Sequence, residues 1–73
     1  MIEVVLSETE YARFTAEAKK RMRMRRWKNF DLARKIGRPV ESVNRFFSAK
    51  GKPSRFLAAE IALALDMTPK DWK

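Results

Sequence analysis

The chain has 73 residues, a formal net charge of +8, no cysteine and no histidine. That length allows one domain (1–73) with one modest core. The missing residue types exclude a disulfide framework, thiolate metal sites and the usual general base. An apolar fraction of 45% beside 36% charged residues excludes wholesale disorder. No apolar run approaches the roughly 20 residues of a membrane span. The opening MIEVVL carries Glu3 and runs into SETE, unlike a secretory signal, so a cytoplasmic location is expected.

The charge is unevenly placed. Residues 1–18 net −3, residues 19–56 net +12 and residues 57–73 net −1. The densest stretch is KKRMRMRRWK (19–28), with seven cations in ten positions. A disordered nucleic-acid arm is more often terminal and poor in apolar residues. A mid-chain cluster flanked by apolar patterns belongs to a fold, and its partner is expected to be anionic.

IEVVL (2–6) is β-branched and predicts a short N-terminal strand within residues 1–6, with Ile2, Val4 and Leu6 on one face. SETE then reads as a helix start, with Ser7 as N-cap, Glu10 as its capping-box partner and Leu6 placed to staple against Tyr11. Tyr11, Phe14, Ala18 and Met22 recur at helical spacing and predict one helix over about 8–26, its cations gathered at the negative end of the dipole. Met22 faces the core, and Met22 and Met24 read as packing residues.

NFDLARKIG (29–37) predicts a second short helix ending at Gly37, where a left-handed residue is wanted. A third follows over 39–51, with Pro39 in its first turn and Val43, Phe46 and Phe47 on its buried side. Ser54 caps a fourth, 55–67, the most apolar element, and TPKDW opens a further turn that lets Trp72 fold back on the core. The expected class is all-α: four to five short helices, with a short strand in front.

Two short helices joined around a glycine, LARKIGRPVESVNRFF, form a helix-turn-helix pattern over residues 28–47. The residues Leu32-Ala33, Ile36-Gly37, Val43 six past that glycine, Pro53 sixteen past it, and the closing IALALDM carry a more specific likeness. From about Trp27 to Asp66 the chain resembles the Cro and phage-repressor helix-turn-helix domains, often called the Xre family, without insertions. The resemblance implies a lambda-repressor-like fold. It also has departures. Pro39 stands where the family usually caps with Ser or Thr, Ala49 where glycine is usual, and Phe47 and Met22 where a Glu–Arg pair is common. Replacing a buried polar pair by an apolar contact can be neutral or stabilising, so Phe47 is expected to pack near Met22.

The resemblance implies sequence-specific binding of double-stranded DNA by a transcriptional regulator, a repressor in the first instance, reading the major groove with helix 39–48. It places base contacts mainly at Val40, Glu41 and Arg45. Chemistry adds that a guanidinium such as that of Arg45 matches guanine O6 and N7, that Asn44 can read adenine, and that Val40 can pack on a thymine methyl, with Ser42 at the margin. Glu41 can accept from cytosine or pair with Arg45 one turn on. Phosphate contacts are implied at Asn29, Ser48, Lys50, Lys52 and Arg55. The amide end of the second helix is itself an anion site. Arg38 in the turn, and Arg26 and Lys28 nearest the groove, are further candidates, whereas Lys19 and Lys20 read as solubilising.

No cofactor, metal or membrane is expected, and no acid–base pair suggests an enzyme. The family commonly binds two-fold operators, so a homodimer is expected, paired through the 1–6 strand unless that segment docks on its own core. Two other functions fit the same fold and charge. One is an antitoxin that binds a toxin and its own operator. The other is a phage recombination-directionality factor working beside an integrase. Either would be prokaryotic or phage-encoded.

Overall fold

The computed structural model describes residues 4–48 and 54–73. They form an all-α fold of α1 (Glu8–Met24), α2 (Asn29–Ile36), α3 (Val40–Phe47) and α4 (Arg55–Ala64), closed by a 3-10 turn over Pro69–Asp71. Among the described residues no helix is long and apolar enough to cross a membrane.

The start of α1 follows from its sequence. The Ser7 N–H donates to Glu10 Oε1 at 3.0 Å, and the Glu10 N–H donates to Ser7 Oγ at 3.2 Å. These bonds satisfy donors that a helix start leaves unpaired. They also hold the Glu10 carboxyl below its ordinary pKa, the Ser7 backbone N–H contributing most. Ser54 caps α4 with half of that arrangement, its Oγ accepting from the Leu57 N–H at 3.3 Å.

Three helices end alike. Trp27, Arg38 and Met67 each donate a backbone N–H five residues back, to Met22, Ala33 and Ala62, and Arg26, Gly37 and Asp66 donate three residues back. Those three residues sit in the left-handed region, at φ 59°, 71° and 56°. This is the Schellman closure, which satisfies carbonyls the helix end leaves open. Only one of the three is glycine. A Cβ on Gly37 would meet nothing within 4 Å, so the backbone angle rather than crowding favours glycine there.

The core draws on every helix. Phe14, Leu32, Val43, Ile61 and Leu65 are fully buried, each contributing about 1.5–3 kcal/mol by leaving water. Phe46 joins α3 to α1: its ring lies edge-on to Tyr11 and Phe14, both at 5.7 Å, and its carbonyl accepts from the Tyr11 hydroxyl. Trp72 folds back onto Phe14 at 5.0 Å. α2 packs most extensively against α3 and next against α4.

Several expectations need correction. Among residues 4–6 there is no strand. Val4 and Leu6 pack against the core and the Val4 N–H donates to Arg55 O at 3.3 Å, so this stretch docks on its own chain. α1 ends at Met24 rather than about 26, and α4 at Ala64 rather than 67. α3 begins at Val40, with Pro39 outside it as N-cap, and ends at Phe47. Met24 is 74% exposed, so it fills no gap in the core. Phe47 is half-buried against the core that includes Met22, and Phe46 is the deeper of the two rings.

Candidate nucleic-acid interface

α3 is eight residues long, and its apolar side chains decide which way it faces. Val43 and Phe46, three apart, are buried. Val40 and Phe47, one turn away on that side, are half-buried. Glu41, Asn44 and Arg45 are therefore turned outward and are exposed, with Ser42 between the two sides. The helix has no side-chain cap. Pro39 supplies an extended residue and its carbonyl accepts from the Ser42 N–H at 3.0 Å.

The outward residues differ in what holds them. Among the described residues Glu41 and Arg45 make no ion pair with each other or with any other group, so the intrahelical pairing weighed for them is not formed. Asn44 is held: its Oδ1 accepts from Asn29 Nδ2 at 2.8 Å, which ties α3 to the first residue of α2. A residue expected on a base and one expected on a phosphate are thus hydrogen-bonded partners.

Three phosphate candidates have other partners. Arg38 reaches Glu60 on α4, with Nε 3.1 Å from Oε1, and the Glu60 hydrogen bond followed by its charge raises the guanidinium pKa. Arg38 is thus a tether between the turn and α4. The Ser48 hydroxyl donates to Arg45 O at 2.9 Å and its N–H to Asn44 O at 3.0 Å, so both its donors are spent on its own helix. The start of α2 is partly occupied as well, because the Lys28 N–H donates to Asp31 Oδ2 at 2.8 Å. Arg26, Lys28 and Arg55 are exposed. Lys50 and Lys52 lie outside the described residues.

The basic stretch 19–28 divides into two groups. Arg21 and Arg25 point to the end of α4. Arg21 pairs with Glu17 at 2.8 Å and Asp71 at 3.3 Å, and donates to the carbonyls of Leu65 and Asp66 at 3.0 and 2.9 Å. The Glu17 bond, then the charge of Asp71, raises its pKa further. Arg25 pairs with Asp66 at 3.1 Å and lies over the Trp27 ring at 5.7 Å. Within a run of like charges, Arg21 therefore caps the negative end of another helix, and Arg25 pairs with the acid beside that end. Lys19 sits 5.8 Å from the centre of the Phe47 ring, so it does more than solubilise. Lys20, Arg23, Arg26 and Lys28 are exposed and make no ion pair among the described residues.

Sequence reasoning missed the Arg21 clamp and the Asn29–Asn44 bond. Both join residues far apart in the chain, and no local spacing announces them. A second exposed feature, Phe30 at 56% with Arg34 over its ring at 5.7 Å, stands on the outer side of α2. Among the described residues no group of three or more His, Cys, Asp or Glu converges to hold a metal ion.

No family model, curated protein or solved structure matches the chain.

Proposed function

We propose that this chain binds double-stranded DNA in a sequence-dependent way and acts as a transcriptional regulator, a repressor in the first instance, with α3 in the major groove. The reading rests on one observation. α3 follows a left-handed glycine turn from α2 and carries Glu41, Asn44 and Arg45 outward over a buried Val43 and Phe46. Amide and guanidinium groups on one exposed helix face match the donor and acceptor pattern of base edges. The exposed cations Arg23, Arg26 and Lys28 add a sequence-independent attraction to phosphates. The likeness to Cro and phage-repressor domains points the same way and implies a prokaryotic or phage setting, with action in the cytoplasm.

The test is selection from a pool of random duplex DNA. Enrichment of a short motif, repeated with two-fold symmetry about one helical turn apart, supports the reading. Uniform recovery of all sequences, with affinity that simply falls with salt, would leave a non-specific polyanion binder and overturn it.

A further inference from the structure

Trp27 stands between two hollows and lines both. One, of 240 Å³, opens where α1 gives way to α2, with the buried Met22 beside Lys19, Arg23 and Lys28. The other, of 320 Å³, lies along the outer side of α2, where Arg34 and Lys35 flank Asp31. All five cations are exposed and make no ion pair among the described residues. The one acid is already engaged, because Asp31 accepts from the Lys28 N–H at 2.8 Å. Phe30, three residues past Trp27, adds a ring that is 56% exposed, with the Arg34 guanidinium over it at 5.7 Å. A solvated basic face has no use for exposed rings, and a stray surface phenylalanine has none for cations on either side.

We infer that this surface holds an unpaired nucleic-acid strand, its bases stacked on Phe30 and Trp27 and its phosphates beside the cations. Aromatic rings set along a positive track bind single strands without reading sequence, because every base has a flat π-face. A duplex fits less well. Its bases offer only their edges in the grooves, so the face of a ring finds nothing to stack on. An acidic helix fits less well too. Such a partner docks through a row of apolar anchors, and α2 exposes a single large apolar side chain, Phe30. Five cations against one engaged acid favour a partner with a negative charge on every unit of its chain. Neither hollow is lined by a residue of α3, so strand binding here is independent of duplex reading by Glu41, Asn44 and Arg45. Arg23 and Lys28 can serve the phosphates of either partner; the rings cannot.

Fluorescence anisotropy tests it with labelled strands of about 12 nucleotides, a length within the usual single-strand site sizes. Oligodeoxythymidylate, oligouridylate and an abasic strand of equal length and charge are compared, with polyglutamate as the acidic-peptide control. The parent should bind one or both base-bearing strands at least about fivefold more tightly than the abasic strand, as one stacked base requires. The sugar preferred then tells a DNA strand from an RNA strand. Phe30→Ala should lower that ratio about fivefold and leave the abasic affinity unchanged, and Phe30→Tyr should keep the parent's ratio. The position is exposed, and the helical circular dichroism of each variant is checked against the parent. Equal binding of abasic and base-bearing strands leaves a surface for phosphates alone and overturns the strand site. A ratio that Phe30→Ala does not reduce overturns it too. Polyglutamate bound as tightly as the base-bearing strands assigns the surface to an acidic protein instead. Selection from random duplex DNA separates the two proposals, since Phe30→Ala should enrich the parent's motif. A chain that selects a duplex motif but does not distinguish abasic from base-bearing strands keeps the proposed function and loses the strand site.

Discussion

Asn29 Nδ2 donates to Asn44 Oδ1 across 2.8 Å, so the first residue of α2 sets the orientation of an amide on the outward side of α3. With that oxygen engaged, the Asn44 Nδ2 is directed elsewhere as a donor. Adenine recognition uses both ends of an amide, the oxygen accepting from N6 and the nitrogen donating to N7. A carbonyl oxygen has two lone pairs and can serve Asn29 and a base together. On the proposed function Asn29 is then a positioning residue. Asn29→Ala should reduce discrimination at the base facing Asn44 by about 1 kcal/mol or less, with little change at the base facing Arg45. Titrations on the selected site and on single-base variants measure this. An unchanged ratio would show that Asn44 orients without help.

Arg26 closes α1 with φ at 59°. The left-handed region costs a residue with a Cβ roughly 1–2 kcal/mol, while glycine gives back about 0.5–1 kcal/mol through unfolded-state entropy. Arg26→Gly should therefore raise stability by up to about 1.5 kcal/mol. On the proposed function it should also weaken DNA binding, because it removes an exposed cation. The two effects have opposite signs and are read separately, by urea unfolding and by DNA titration. A variant that loses stability would show that the Arg26 side chain holds the turn by contacts outweighing the backbone strain.

Helix ends show what the sequence makes legible. The end of α2 is marked by Gly37, and its placement is close to what the sequence predicts. α1 and α4 close with the same motif on Arg26 and Asp66, which carry no such mark, and periodicity alone runs both helices too far. The inward side of α3 is legible from Val43 and Phe46, because burial repeats at helical spacing. The role of Arg21 is not, since its partners at Leu65, Asp66 and Asp71 lie more than forty positions away and seven cations in ten positions look alike. Docking of residues 4–6 is half legible. The alternation of Val4 and Leu6 inward with Val5 outward holds, but in a chain segment with one backbone bond to α4 rather than in a strand.

Phe46 and Phe47 are adjacent in sequence and unequal in structure. Phe46 is 4% exposed and meets three aromatic rings, those of Tyr11, Phe14 and Phe47. Phe46→Ala should cost about 3–5 kcal/mol, the range for a buried aromatic truncation. In a domain this small that approaches the whole stability. Phe47→Ala should cost clearly less, because Phe47 is only half-buried. Thermal unfolding of both variants orders them, and a larger loss at Phe47 would contradict the placement of α3.

The capping box predicts a pH dependence. Glu10 has a folded-state pKa below its unfolded value, first through the Ser7 backbone N–H and then through the Ser7 side chain. The stabilisation is therefore complete above the unfolded carboxylate pKa and lost as pH falls through the lower folded value. Glu10→Gln keeps an acceptor but cannot titrate. The parent should exceed it in stability near neutrality, and the gap should close below about pH 4. Urea midpoints across that range check it. A gap that stays constant to the acid limit would mean the carboxylate charge contributes nothing at this cap.

Arg45 and Lys28 separate specificity from affinity. Arg45 is exposed on the outward side of α3 and pairs with no acid among the described residues, so its guanidinium is available to a guanine edge. Lys28 is exposed beside the first turn of α2 and has no ion pair there either. Arg45→Ala should lose about 1–3 kcal/mol on the selected site and relax preference at one base pair per half-site. Lys28→Ala should weaken all sequences alike and lower the slope of log affinity against log salt by about one. The contrast is one of kind. If Arg45→Ala weakened every sequence equally and reduced the salt slope as Lys28→Ala does, Arg45 would be touching a phosphate. α3 would then lie on the backbone rather than in the groove, and the proposed reading helix would have to be sought elsewhere on the basic surface.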